Sequence, residues 1–428
     1  MVLNYIWVAL FLIGFVVSIG RFIFPPIANL FGFDAGSIDY SVFPTIVQGT
    51  FIESKKGFEF ALGLTATLTL WLGLMKVGEK SGIIDKVAHM IKPFFKRIFP
   101  SIPSDHPVNG HIFMNFSANM LGLDNAATPM GLKAMQGMQE LNPDKETASD
   151  AQIMFLTLNA SGLTLIPVSI MAARAAAHAP DPSDVFIPIL ISTFFSTMAG
   201  LLAVSIYQRI NLLNKVVLLT LFSVSLFIAG ILWFFSYIRN NFPEPDKKIE
   251  LISSVGSNFI LFLVIIFFIG YGFYKKINVY DAFIEGAKEG FETAIRIIPY
   301  IIAILVAVGI FRDSGAMSYL MNGLTSLFIN MGVNADFIPA LPTAIMKPLS
   351  GSGARGMMVS TMETYGVVSF PGRLACVFQG AADTTFYILT VYFGYVGVKN
   401  SRYALKTCLI ADAAGAIAAI WVAYIFFH

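Results

Sequence analysis

Charge is the first thing this chain lacks. Asp, Glu, Lys and Arg together make up 13% of its 428 residues, about half the roughly 25% usual in soluble domains. The deficit lies in long uncharged runs. Leu3–Gly20, Val216–Tyr237 and Leu251–Tyr274 contain no charged residue, and Thr407–Phe427 contains only Asp412. A hydrocarbon core about 30 Å thick takes about 20 helical residues at 1.5 Å each, so these runs fit membrane spans and exclude a soluble globular chain. The alternating ten-residue segments of an outer-membrane barrel are also missing, which leaves helices as the spanning element. Cysteine is scarce too. Cys376 and Cys408 both lie in apolar segments, which excludes a disulfide framework or a thiolate metal cluster. The net charge of +2 comes with no basic patch interleaved with aromatics, so nucleic acid is not an expected partner. The apolar N-terminus has no basic leader and no small-residue cleavage site, and it reads as a retained first helix.

Catalytic motifs are missing as well. Gly351-Ser352-Gly353-Ala354-Arg355-Gly356 matches a dinucleotide fingerprint literally, but no strand precedes it and Pro348 sits just ahead. No phosphate-binding loop and no serine elbow occur. His106 and His111 are not on one helical face, and Pro107 lies between them, so no metal site is expected there. The chain is not expected to be an enzyme or to carry a cofactor.

What is present is a repeat. Phe51-Ile52-Glu53 recurs as Phe283-Ile284-Glu285; after a one-residue slip, Lys55 and Gly57-Phe58-Glu59 recur as Lys288 and Gly290-Phe291-Glu292. The same register carries Ser81-Gly82 onto Ser314-Gly315 and Ser117 onto Ser350. Apolar spans fall near 3–24, 58–78, 151–173 and 184–208 in the first half, and near 252–274, 296–312, 374–396 and 404–427 in the second. Between the second and third spans of each half, 80–148 and 313–372 are rich in Gly, Pro, Asn and Ser. Their apolar pieces are too short to cross, which suggests re-entrant hairpins or half-helices. One further span, 212–238, joins the halves. The expected domains are therefore 1–210, a linker helix and loop at 211–250, and 251–428.

Four crossings return each half to its starting side, so one additional crossing inserts the second half upside down, as in inverted-repeat transporters. Charge agrees. Lys76, Lys80, Lys86, Lys92, Lys96 and Arg97 follow the second span of the first half, whereas the equivalent stretch of the second half has only Arg312. Basic loops stay cytoplasmic. The expectation is a multi-pass protein of the bacterial plasma (inner) membrane, N-terminus cytoplasmic and C-terminus outside. The segments Val47–Ala61 and Val279–Arg296 mix charges with apolar residues at helical spacing. They are expected to be interfacial helices, with Glu53, Lys55 and Glu59 toward water and Phe51, Phe58 and Leu62 toward lipid; the alternative is a solvated loop.

Polar residues inside apolar segments carry the functional signal, since a charge at the centre of a span costs about 2.5–3.5 kcal/mol on insertion scales. The first cluster is Asn115, Ser117, Asn119, Asp124, Asn125 and Thr128; its repeat mate runs from Lys347 to Gly356 and includes Ser350, Ser352 and Arg355. Both read as hairpin tips whose freed backbone groups and side chains could hold an ion or a polar solute. The competing reading is a tight turn whose polar groups satisfy one another. The second cluster lies in the third span of each half: Asn159, Ser161 and Thr164 ahead of Pro167, and Gln379 followed, after Gly380-Ala381-Ala382, by Asp383 and Thr384. Small residues there serve close helix packing, but packing does not explain Asp383. It suits a proton or sodium site, or an ion pair with Arg355 or Lys347. Asp412, in the last span, has no acidic counterpart in the first half.

These same residues carry a family resemblance. Met114–Met135, with Leu123-Asp124-Asn125-Ala126-Ala127-Thr128-Pro129, resembles spore maturation protein A, as does Leu158–Ala172. Lys347–Gly353 and the run Asp383–Gly394 resemble spore maturation protein B. The likeness spans about 1–210 and 250–428 and leaves 212–238 as a fusion linker. It implies a gate domain of the kind shared with nucleoside transporters and the membrane part of ferrous iron transport protein B, with helical hairpins meeting near the bilayer midplane. It implies no substrate. The resulting expectation is an all-α polytopic protein of two inverted repeats with broken helices and one linker helix. Its expected activity is secondary transport of a small nucleoside- or amino-acid-like solute or an ion, coupled to sodium or protons. The lipid bilayer and the solute are the expected partners, and a homo-oligomer is left open. The alternative is a non-transporting factor in cell-envelope or spore maturation.

Overall fold

The computed structural model describes residues 2–30, 39–103, 105–121, 124–162, 164–330, 332 and 334–428. Among them there is no strand, only an isolated bridge between Thr147 and Asn400. The first half runs α1 (Val2–Leu30), α2 (Val42–Lys80), α3 (Ile83–Ile98), α4 (Val108–Met120), α5 (Asp124–Leu141), α6 (Asp150–Ser161), α7 (Val168–Ala176) and α8 (Phe186–Gln208). The linker is α9 (Lys215–Asn241). The second half runs α10 (Pro245–Tyr274), α11 (Val279–Asp313), α12 (Ala316–Asn330), a 3-10 turn (Ile338–Ala340), α13 (Leu341–Met346), α14 (Gly351–Tyr365), α15 (Phe370–Gly380), α16 (Thr385–Val396) and α17 (Ala404–Phe427). Among the described residues, 8 segments are long and apolar enough to cross a membrane. The chain is an all-α polytopic membrane protein.

The repeat mates meet, and they meet antiparallel. α2 carries Phe51-Ile52-Glu53 and α11 carries Phe283-Ile284-Glu285. Along their crossing, Gly309 faces Glu53, Gly57 faces Ile302, Gly290 faces Leu68 and Gly286 faces Leu72. Numbers rise on one helix as they fall on the other. α8 and α17, the last spans of the two halves, do the same: Gly200 faces Ala411, and Gly415 faces Ser196, whose Oγ donates to the Ala411 carbonyl at 3.0 Å. The inversion expected from parity and charge is thus built into two helix crossings.

Glycine makes the first crossing close. A Cβ on Gly286 would lie 2.3 Å from the Leu72 carbonyl oxygen, and one on Gly290 would lie 2.7 Å from that of Leu68. Small residues permit this approach, which dispersion then rewards in lipid. Gly286→Ala is expected to destabilise the protein by about 1–3 kcal/mol through overpacking. Gly270→Ala, on α10 where nothing lies within 4 Å, is the control. Thermal unfolding of the two variants in the same micelle checks it, and equal midpoints would refute close packing at Gly286.

Two expectations need correction. The interfacial helices are not separate elements. Val47–Ala61 is part of the 39-residue α2, about 58 Å long at 1.5 Å per residue, and Val279–Arg296 opens the 35-residue α11. Both outrun a hydrocarbon core of about 30 Å, so their charged ends emerge while the helix continues. Nor does Glu53 face water. It is 2% exposed and bonds to Arg312 at 3.0 Å and Lys56 at 3.1 Å. Its mate Glu285 pairs with Lys80 and, at 3.6 Å, with Lys76. Each end of the α2–α11 crossing therefore carries an ion-pair group, one buried and one open.

Other contacts stitch the halves together. Rings of Phe95, Phe116, Phe155 and Tyr392 form a chain from α3 through α4 and α6 to α16, with centroids 4.5, 5.5 and 5.9 Å apart. Arg174 at the end of α7 is fully buried, pairs with Asp184 at 2.7 Å and donates to the Val367 carbonyl at 3.0 Å. Arg373 of α15 reaches the other oxygen of Asp184 at 2.8 Å.

Candidate functional site

Both third spans are broken. α6 starts on a capping box, in which the Ser149 side chain accepts from the Gln152 backbone and Gln152 reaches back to Ser149, an arrangement that satisfies two otherwise orphaned groups. The helix stops at Gly162, whose φ of 61° is left-handed, and Pro167 precedes the restart as α7. In the second half, Ser369 caps α15 by accepting from Gly372. That helix ends at Gly380, and α16 begins at Thr385. Past the cap bonds of Gly162 and Ala381, described backbone groups in and beside the breaks bond outside their own helix.

They turn toward one another. The Asp383 N–H donates to the Ala160 carbonyl at 2.7 Å, joining the break of one half to the helix end of the other. Leu165 N–H donates to Met120 O at 2.8 Å, and Phe386 N–H to Pro348 O at 3.0 Å, so each break also rests on the hairpin tip of its own half. At this junction lies a cavity of about 250 Å³. Its walls include Asn119 of α4, Asn159 of α6, Gly162, Thr164 and the start of α7 through Ser169. The second half contributes Lys347, Gly351, Arg355, Gln379, Asp383 and Thr384, while Leu68, Leu72 and Thr293 come from the α2–α11 pair.

The polar lining is partly committed. Asn119 Nδ2 donates to Asn159 Oδ1 at 2.8 Å, and Asn159 Nδ2 to the Phe155 carbonyl at 2.8 Å. Thr164 Oγ1 donates to Gly162 O at 3.0 Å. Gln379 Nε2 reaches Gly351 O at 3.4 Å, but its Oε1 is buried without a hydrogen-bond partner. Asp383 is exposed, and its Oδ1 accepts from the Thr384 N–H at 2.7 Å. Cations and an anion thus share one small chamber with an unsatisfied acceptor. Such a place can hold an ion or a small polar molecule.

Of the residues singled out from the sequence, Asn119, Asn159, Thr164, Arg355, Gln379, Asp383 and Thr384 line this cavity. Others lie outside the lining. Asn115 is buried and donates to Ala127 O at 2.8 Å. Ser117 donates to Phe113 O at 2.7 Å, and Ser161 to Leu158 O at 2.8 Å. Ser350 caps α14 by accepting from Gly353 and lies 3.3 Å from Ser352 Oγ. Thr128 is half-buried on α5. The side chains of Asp124 and Asn125 lie outside the described residues. Asp412 stands behind the α16 start: it accepts from Thr385 Oγ1 at 2.7 Å, and its Oδ1 has no hydrogen-bond partner. The expectation missed Ser169 and Thr293 as lining. Ser169 was signalled by its place two residues after Pro167, where a helix restarts; Thr293 had no local signal, because its segment read as interfacial.

Comparison with known proteins places this architecture. Residues 61–177 and 294–399 match the family described as Gate, nucleoside recognition; both stretches include a broken span and a hairpin. Spore maturation protein B of Bacillus subtilis (strain 168) is 46% identical over 157 residues, covering 37% of this chain and 86% of that protein. Spore maturation protein A of the same organism is 36% identical over 199 residues, covering 46% of this chain and 92% of that protein. No solved structure matches the chain.

Proposed function

The chain belongs to the nucleoside-recognition Gate family, and from that premise we propose that it is a secondary transporter of a small polar solute. The observation that carries the reading is the cavity at the junction of the two inverted halves, lined from both broken spans and containing an exposed aspartate deep in an apolar segment. Retaining such a charge costs about 2.5–3.5 kcal/mol on insertion scales, a cost that a solute or ion site accounts for and a packed core does not. The solute sits between the Asn159–Thr164 and Gln379–Thr384 breaks. Movement of one group of helices against the other then opens the chamber to each side in turn. Asp383 is the site of the coupling sodium ion or proton. The plasma membrane is the proposed location, with the N-terminus cytoplasmic and the C-terminus outside, the sense that keeps the basic stretch Lys76–Arg97, the end of α2 and α3, inside.

Uptake into liposomes loaded with the purified protein tests this, using a panel of radiolabelled metabolites under imposed sodium or proton gradients. Asp383→Asn is expected to abolish gradient-driven accumulation while leaving the protein folded. Wild-type accumulation by that variant would remove Asp383 from the mechanism. A second reading has its own support: the named relatives are spore maturation proteins, and Asn115, Ser117 and Ser161 are satisfied within the protein. On that reading the chain organises envelope partners and moves nothing, and no member of the panel is taken up under any gradient.

A further inference from the structure

We infer that the cavity takes an aliphatic amino acid, bound through both its carboxylate and its ammonium group, rather than an uncharged nucleoside. This rests on the cavity being a solute site and narrows the class of solute.

Lys347 and Arg355 bring two cations to the lining against the single anion Asp383. The chamber thus presents charged groups of both signs, which suit a zwitterion better than an uncharged solute. Gly351, the first residue of the 15-residue α14, also faces the chamber. Four residues on, Arg355 shares its helical face. A helix N-terminus and a guanidinium on one face favour a carboxylate, the former through its dipole and free N–H groups and the latter by forked hydrogen bonding. Gly351 lets the helix end come close to the break: a Cβ there would lie 2.7 Å from Thr384 Oγ1 and would have to displace that hydroxyl.

The adjoining break has the complementary chemistry. Gln379 is 6% exposed, its Nε2 is held by the Gly351 carbonyl, and its Oε1 is a buried acceptor with no donor. Leaving such an acceptor unsatisfied costs about 1–3 kcal/mol. Asp383, four residues further, adds an exposed carboxylate. An ammonium group brings three donors and a positive charge, and serves both. Leu68 and Leu72 form an apolar wall for a side chain. At about 250 Å³, the chamber falls below the roughly 300–1,000 Å³ of pockets for drug-sized ligands, which suits a solute of amino-acid size.

Binding, read apart from transport, decides the matter. The purified full-length protein in micelles is heated with four separate pools: aliphatic amino acids, the matching carboxylates without the amine, the matching amines without the carboxylate, and nucleosides. A ligand that binds the folded state raises the unfolding midpoint. The amino-acid pool is expected to raise it saturably and the other three to have little effect. Asp383→Asn is expected to weaken amino-acid binding by about tenfold and bring it level with the plain carboxylates. Arg355→Gln is expected to abolish the response, and Arg355→Lys to retain part of it, which separates loss of a charge contact from loss of fold. A response to nucleosides or amines alone, to no pool, or an unaltered response in Asp383→Asn would overturn the inference. Nucleoside uptake in liposomes without amino-acid binding would leave the transporter standing and defeat this assignment; amino-acid binding without uptake of any kind would do the reverse.

Discussion

Glu53→Ala is expected to destabilise the protein by about 3 kcal/mol, near the lower end of the range for breaking a buried ion pair, whereas its repeat mate Glu285→Ala leaves the unfolding midpoint unchanged. The difference follows from environment alone. The Glu53 side chain is 3% exposed and that of Arg312 is 29% exposed, so removing the carboxylate strands a half-buried guanidinium. Arg312 retains Asp313 at 3.1 Å, which keeps the loss from being larger. The Glu285 side chain is 48% exposed and faces two lysines that water can serve instead; open pairs of this kind contribute little. Chemical unfolding of both single variants in micelles, with an Arg312→Ala double-mutant cycle, measures the asymmetry. Equal losses at the two mates would contradict the burial on which it depends.

Gly162→Ala is expected to lose about 2–5 kcal/mol, because it breaks two conditions at once. The residue has a φ of 61°, and an added Cβ would lie 2.9 Å from the Asp383 nitrogen and 3.0 Å from the Ala382 carbonyl carbon. Left-handed backbone costs a residue with a Cβ about 1–2 kcal/mol, and pushing two backbones apart adds the rest. Gly397 separates the terms. Its φ is 75°, but nothing lies within 4 Å, so Gly397→Ala registers the backbone cost only. A Gly162→Ala loss no greater than that of Gly397→Ala would show that the two breaks do not press on each other. Solute accumulation in liposomes is expected to fail in Gly162→Ala even at temperatures where it remains folded.

Much of this fold was legible in local sequence. Uncharged runs marked the spans, and Gly162 with Pro167 marked a break, because those residues act through their own backbones. The repeat Phe51-Ile52-Glu53 and Phe283-Ile284-Glu285 revealed the mates that later proved to cross. What local reading missed depends on distant partners. Glu53 looked solvent-facing because Arg312, which pairs with it, lies 259 positions away. The same cause disguised α2 and α11 as interfacial segments followed by spans. Among the polar residues, Asn115, Ser117 and Asn119 are close in sequence and alike in chemistry, yet only Asn119 reaches the cavity. A serine hydroxyl that folds back on the carbonyl four residues earlier, as Ser117 does, has the same sequence signature as one that points into a site. Helical phase around a break is set by the partner half, which no local pattern encodes.

The linker α9 has a consequence for how such a protein is made. It packs through Val217, Ile228, Phe235 and Ile238 and leaves Leu219, Phe222, Leu226 and Trp233 outward, so it is a passenger at the rim. Its value is directional. If each half crosses the membrane four times, the one extra crossing supplied by α9 would deliver the second half in the opposite sense. Delete α9 and splice its flanks, and α11 would arrive parallel to α2, with Gly286 and Gly290 no longer facing carbonyl groups. Keep it, and one messenger yields both halves in equal number, side by side, at the moment their glycine faces must close.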